Sequence, residues 1–237
     1  MSTGARETLR RGAGLLRDRQ QAAAFRRAVV TAPHAGLVTI GDVRTGGFEV
    51  PGDRLGPDSV VYVAGAGQDG GAAPGLVARF NCVVHLHDPD PTAAEQVARF
   101  AAREPRVSFQ PTALWDSDTT LTVHSARLGG YLSHHPAELI GSPESFTAPA
   151  VSLNGLLQAA GQDHIDLLCV ASSGAEFRLV DHILRVPIDV GALCLRWAQP
   201  APLERVLEAL GRLREAGYRP VARSGDASAW KTTLVRD

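Results

Sequence analysis

Lysine is almost missing from this chain of 237 residues: Lys231 stands alone, so nearly all of the positive charge is arginine. Basic and acidic residues number 24 and 25, for a formal net charge of −1. That balance excludes nucleic acid and anionic membrane as charge-driven partners. Cysteine is as scarce. Cys82, Cys169 and Cys194 are too few and too dispersed for a disulfide framework or a zinc site, and each lies in an apolar run that reads as a buried strand. No stretch approaches the roughly 18 apolar residues of a membrane span, and no secretory core follows the arginine-rich start. A cytoplasmic protein is the expectation.

What is present suffices for a sizeable core, with 44% hydrophobic residues. We expect one main domain over 51–237, preceded at 1–50 by a helical extension and a lead-in hairpin. Glu7 to Val30 carries Arg, Gln and Ala without proline, with Leu9, Leu16, Phe25 and Val29 as sparse apolar points. Such helices either pack on the edge of the main domain or serve a homodimer or pathway-partner interface. Leu37 to Pro51, with Gly46-Gly47 inside it, suggests a hairpin.

From Val60 the pattern alternates strand and helix. Strands are expected at Val60–Ala64, Cys82–Leu86, Val107–Gln110, Ile165–Val170 and Ala192–Trp197. Helices are expected around Leu76–Phe80, at Thr92–Ala102 with Thr92 as N-cap, at Ala175–Leu184 and at Leu203–Ala216. Leu121–His124 reads as an added hairpin strand, Gly129 to Pro149 as a loop, and Tyr218–Ala222 with Trp230–Val235 as a final antiparallel pair. This rhythm is that of a doubly wound α/β sheet with helices on both faces.

Several motifs occur in a fixed order. Pro57 to Tyr62 leads into Gly65-Ala66-Gly67-Gln68-Asp69; Val84-His85-Leu86-His87-Asp88-Pro89-Asp90-Pro91 follows. Later come Ser152 to Leu157, the run Asp166-Leu167-Leu168-Cys169-Val170-Ala171-Ser172-Ser173-Gly174-Ala175-Glu176, and Leu213 to Tyr218. Together they resemble the FkbM family of S-adenosylmethionine (SAM) dependent O-methyltransferases. The resemblance implies a class I methyltransferase sheet of seven strands with a reversed last strand. It also implies SAM on the glycine loop: Gly65 and Gly67 for close backbone approach, Asp69 for the ligand's amine, Asp88 for the ribose hydroxyls. On the residues alone, the two glycines equally well just make the turn, with Asp88-Pro89 capping the next helix.

The departures fall at the reaction centre. Where the family has Lys, Asp and an inner Glu, this chain has Cys169, Ala171 and Ser173, and its Glu-Phe-His segment is replaced by Arg196-Trp197-Ala198. Losing a general base costs about 10²–10⁴ in rate, so methyl transfer in the family's form is not expected. The polar residues left near the strand ends are Asp116, Asp118, His124, His134 and His135, a set suited to acid–base work by an Asp–His pair. Ser117 with a His and an Asp does not make a hydrolase triad, because no Gly-x-Ser-x-Gly elbow is present. The glycine loop also lacks the third glycine of a dinucleotide fingerprint. His85 and His87 alternate on a strand and read as buried, satisfied histidines rather than a metal pair.

Three readings remain. The first is a methyltransferase-fold enzyme of specialised-metabolite biosynthesis, catalysing an intramolecular displacement, cyclisation or elimination on a small molecule without a cofactor. The second is a divergent SAM-dependent O-methyltransferase of a sugar or metabolite hydroxyl, and the third a non-catalytic partner subunit.

Overall fold

The structure is a computed structural model that describes residues 18–42, 47–67, 70–128, 131–136, 145–198, 201–226 and 229–237, with the backbone alone for 93, 125–128 and 131–136. Helix α1 covers 18–28. The hairpin β1 (Leu37–Ile40) and β2 (Phe48–Pro51) follows, and then the alternation β3 (Val60–Ala64), α2 (Ala73–Phe80), β4 (Val83–His87), α3 (Pro91–Ala101) and β5 (Val107–Gln110). After an insertion, the chain resumes with α4 (Leu153–Ala160), β10 (His164–Val170), α5 (Ala175–Arg185), β11 (Asp189–Ala198), α6 (Leu203–Glu215), β12 (Tyr218–Gly225) and β13 (Ala229–Arg236).

Seven strands form the central sheet in the order β12-β13-β11-β10-β3-β4-β5. Only β13 runs against its neighbours, so the reversed last strand of the class I methyltransferase sheet is in place. The five parallel strands are rich in Val, Leu and Cys because both faces of the sheet are covered. Helices α2 and α3 with the β1–β2 hairpin cover one face, whereas α1, α4, α5 and α6 cover the other. Helix α1 is anchored in that second core through Ala22 and Phe25, and the chain just past it through Val29, with the Phe25 ring stacked on Trp230 at 4.9 Å. Phe25 and Val29 therefore serve the chain's own core, whereas Leu9 and Leu16 lie outside the described residues. All three cysteines are buried and unpaired.

The chain order reverses between β3 and β10, the topological switch point where folds of this kind place ligands. Between β5 and α4 the insertion β6 (Ala113–Trp115), β7 (Thr119–Leu128), β8 (Tyr131–Pro136) and β9 (Ser145–Ser152) makes a second sheet, ordered β6-β9-β7-β8. The segment expected to be a loop from Gly129 to Pro149 thus contains β8 and most of β9. Its glycines, prolines and histidines hide a sheet with a wet face, along which the exposed residues of β9 alternate with buried Ala148 and Ala150. A smaller correction concerns α3. Its N-cap is Asp90, whose carboxylate accepts from Thr92 N at 2.8 Å while Pro91 takes the first helical position.

Candidate functional site

At the switch point, the glycine loop leaves β3 and folds back onto its neighbours. Gly65 N donates to His87 O at 2.8 Å, and Ala171 N to Ala64 O at 2.7 Å. Gly65 has a φ of +94°, and a Cβ there would lie 2.8 Å from Ala171 C and Ser172 N. Only glycine permits both that backbone and that approach. Gly67, at φ +57°, makes the next turn. The contact that demands Gly65 is with the loop after β10.

Asp88 closes the same loop from the end of β4. It is buried, and its Oδ2 accepts from Ala66 N at 2.7 Å and Gly67 N at 3.0 Å, while Oδ1 accepts from Asp90 N at 2.9 Å. Burial pushes its pKa up, against the three amides that hold the carboxylate charged. The acid that the resemblance assigns to a ribose is engaged with the chain's own backbone. Asp69 lies outside the described residues.

Glu176 does similar work across the next strand pair. It is 1% exposed in the first turn of α5; Oε2 accepts from Gly174 N at 2.6 Å and Oε1 from Ala198 N at 2.9 Å, tying the turn after β10 to the end of β11. Burial raises its pKa to about 7. Arg196, on the opposite face of β11 from Trp197, feels the charges of Glu176 and Asp226.

The five acid–base candidates are not brought to one centre. Asp118 is exposed, and its Oδ1 accepts from Ser152 N at 2.6 Å, fastening the start of β7 to the N-cap of α4. Those bonds lower its pKa. His124 is five residues beyond Thr119 on β7, so about 17 Å of strand separates it from the Asp118 end. Register places His135 opposite His124 and His134 opposite Ser125 at that far end of the sheet. Three histidines therefore gather at one end and two aspartates at the other.

Asp116 finds different partners. It is half-buried at the end of β6, accepts from Ser117 Oγ at 3.1 Å, and faces Arg178 Nη1 at 3.8 Å, one turn into α5. Arg178 also lies over the Trp115 ring, 6.0 Å from its centroid. One turn further along α5, His182 is 4% exposed, and neither ring nitrogen has a hydrogen-bond partner among the described residues. Burial lowers its pKa, Arg185 adds to that, and the nearby Asp116 charge works against it. The charge of Asp116 thus reaches a histidine of α5, outside the insertion, with no hydrogen bond between the two. His182 sits in a stretch that reads simply as an amphipathic helix. The spacing of Arg178 and His182 at i, i+4, one exposed and one buried, was the available signal.

His85 and His87 share a face with Tyr62, whose ring stacks on theirs at 4.6 and 6.2 Å. Their Nδ1 atoms lie 2.9 Å from Ser108 Oγ and 3.0 Å from Thr112 Oγ1. Burial pushes the pKa of His87 down to about 4, and His85 adds to the shift. Among the described residues, no group of three or more His, Cys, Asp or Glu side chains is placed to hold a metal, and no helix is long and apolar enough to cross a membrane.

No protein-family model matches the chain, and no curated protein matches it. Solved structures of methyltransferases align over most of it at very low identity. Aeropyrum pernix fibrillarin, in complex with natively bound SAM, is 9% identical with a TM-score of 0.47, over 88% of this chain and 86% of that one. An rRNA methylase from Streptococcus thermophilus is 11% identical with a TM-score of 0.47, over 78% and 90%. The precorrin-6y C5,15-methyltransferase of Geobacter metallireducens is 14% identical with a TM-score of 0.44, over 77% and 83%. The fold rests on the strand order itself, and the FkbM resemblance on the motif residues.

Proposed function

We propose that this chain is a methyltransferase-fold enzyme that works without SAM, converting a small metabolite of specialised biosynthesis by proton transfer in an intramolecular displacement, cyclisation or elimination. The observation that carries this reading is the engagement of Asp88. Both of its oxygens are taken by the Ala66, Gly67 and Asp90 amides, so neither the acid nor those loop amides are held ready for a nucleoside. Ala171 and Ser173, in the loop after β10, have no charge to move, and Glu176 is locked between two backbone amides.

The acid–base role then passes to Asp116 at the rim of β6, the group that meets the substrate as proton acceptor or donor. Arg178 anchors substrate charge beside it, and His182 biases the Asp116 charge from behind. A second reading, SAM-dependent O-methylation, is favoured by the intact strand order and the Gly65/Gly67 loop.

One comparison separates the two: untargeted metabolite profiling of the producing strain with the gene deleted and then restored. The SAM-free reading expects the compound that accumulates and the one that is lost to be isomers, or to differ by an eliminated small molecule. A pair differing by one CH₂ assigns methyl transfer and overturns the proposal. No accumulating compound at all leaves the chain without a reaction of its own.

A further inference from the structure

His182 is a buried imidazole with neither nitrogen engaged. It lies on the core side of α5 beside Leu179 and Ile183, is 4% exposed, and has no hydrogen-bond partner for Nδ1 or Nε2 among the described residues. A neutral imidazole always carries one N–H, and leaving a buried donor unpaired costs stability that a leucine at the same place would keep. The charged groups around the ring come from two elements. Helix α5 itself brings Arg185, three residues on, and Arg178, four residues back; the insertion brings Asp116 at the end of β6. Helix α6, packed against α5, directs Arg212 to Asp181, and β11 beneath contributes Leu193, Leu195 and Trp197. The anion whose charge His182 feels is therefore Asp116, and the Arg178 guanidinium that faces Asp116 stands off at 3.8 Å. Burial lowers the His182 pKa, Arg185 adds to that, and Asp116 opposes it. With no partner to turn to, such a ring takes its proton first in the unfolded chain, and stability falls as pH drops through the ordinary histidine range near about 6.5.

We propose that His182 is a proton-operated latch between α5 and the insertion: the imidazolium turns to Asp116, takes its carboxylate from Arg178 and draws β6 onto the helix. The proton comes from solvent, and no covalent bond is made or broken. The neutral ring offers Asp116 one donor and no charge, so the carboxylate stays with Ser117 and Arg178. The imidazolium offers two donors and a charge sheltered from water. A charge-assisted hydrogen bond made there outweighs a 3.8 Å ion pair to a half-exposed arginine. Arg178 still has the Trp115 ring to lie over. Asp116 directly follows β6, whose Ala113, Leu114 and Trp115 pair with Ala150, Val151 and Ser152, and Ser152 is the N-cap of α4. A pull on Asp116 is therefore felt along the edge of the inserted sheet. The latch does not rest on the function proposed above, since it needs only the placement of these side chains and is read without turnover.

Amide hydrogen exchange of the full-length protein at about pH 7.5 and about pH 5.5, on either side of the histidine range, tests the latch. Rates are corrected for the intrinsic pH dependence of exchange and read by mass spectrometry in peptides covering β6, with β10 as the internal reference. Exchange from β6 is expected to slow on acidification roughly tenfold or more relative to β10, the worth of one charge-assisted hydrogen bond. His182→Leu should melt no lower than the parent at the higher pH and should lose the acid-induced slowing. Asp116→Asn, which keeps an acceptor for Ser117, should lose it too. Exchange from β6 that is unchanged or faster at the lower pH overturns the proposal, as does a slowing that β10 shares equally or that persists in His182→Leu.

Discussion

Asp88 and Asp116 both stand where a strand gives way to a loop, one in the ancestral sheet and one in the insertion, yet they are held in opposite ways. Asp88 has three backbone amides within 3.0 Å, whereas Asp116 has one hydroxyl at 3.1 Å and a guanidinium at 3.8 Å. A carboxylate whose lone pairs are taken by its own backbone is part of the architecture. One with spare acceptor capacity beside an arginine and a buried histidine is equipped to move a proton. On the proposed function, that difference separates an acid that holds the loop from one that meets the substrate.

The contrast is broken or sharpened most strongly by Asp116→Asn. It should lower turnover by about 10²–10⁴ in complementation of the deletion strain, with metabolite levels as the readout. The melting temperature should hardly move, since the isosteric change keeps an acceptor for Ser117 and gives up only a 3.8 Å ion pair with a half-exposed arginine. An equal loss of stability and turnover would place Asp116 with Asp88.

Next in size is a pH effect at Glu176 and His87. Glu176 has its folded pKa raised to about 7 from 4.5, so the folded state binds the extra proton in that window and stability falls as pH rises through it. His87 is lowered to about 4 from 6.5; the unfolded state binds the extra proton, and stability falls as pH drops through that window. Each is worth about 3 kcal/mol at its limit, and the two slopes oppose one another. Glu176→Gln should therefore expose the His87 slope: urea unfolding should show the variant losing stability from pH 6.5 to 4.5 more steeply than the parent. A variant whose profile parallels the parent's would remove Glu176 from the account.

Asp88→Ala should cost roughly 2–3 kcal/mol by freeing three amides in a buried turn, read as a melting temperature lower by roughly 5–10 °C. The smallest effect is expected for Asp118→Ala. The exposed tie to Ser152 should loosen only the start of α4, seen as faster amide exchange at Gly155 without a change in turnover.

The core sheet was legible because its strands are buried on both faces and announce themselves as apolar runs. Val60–Ala64 and Val107–Gln110 fall where their β-branched residues put them. Of the insertion only the hairpin strand at Leu121–His124, now within β7, was legible; β8 and β9 were not, since a sheet with one wet face interleaves polar residues and prolines that imitate a loop. The local frame of the site could be read as well: Gly65 and Asp88 stand at strand ends, and Glu176 in the first turn of α5, in the order of their motifs. What each carboxylate bonds could not, because one oxygen of Asp88 and one of Glu176 take partners from segments 22 residues away, and His182 feels the Asp116 charge only because α5 packs on β6.

The central claim is that the glycine crevice no longer takes SAM. Isothermal titration of the full chain with SAM, paired with a thermal shift, tests it most directly. The account predicts no saturable heat and no change in melting temperature at millimolar ligand. Saturable binding, with a stabilisation of about 2.7 kcal/mol at a hundredfold excess over Kd and a melting temperature higher by roughly 5–10 °C, would contradict it.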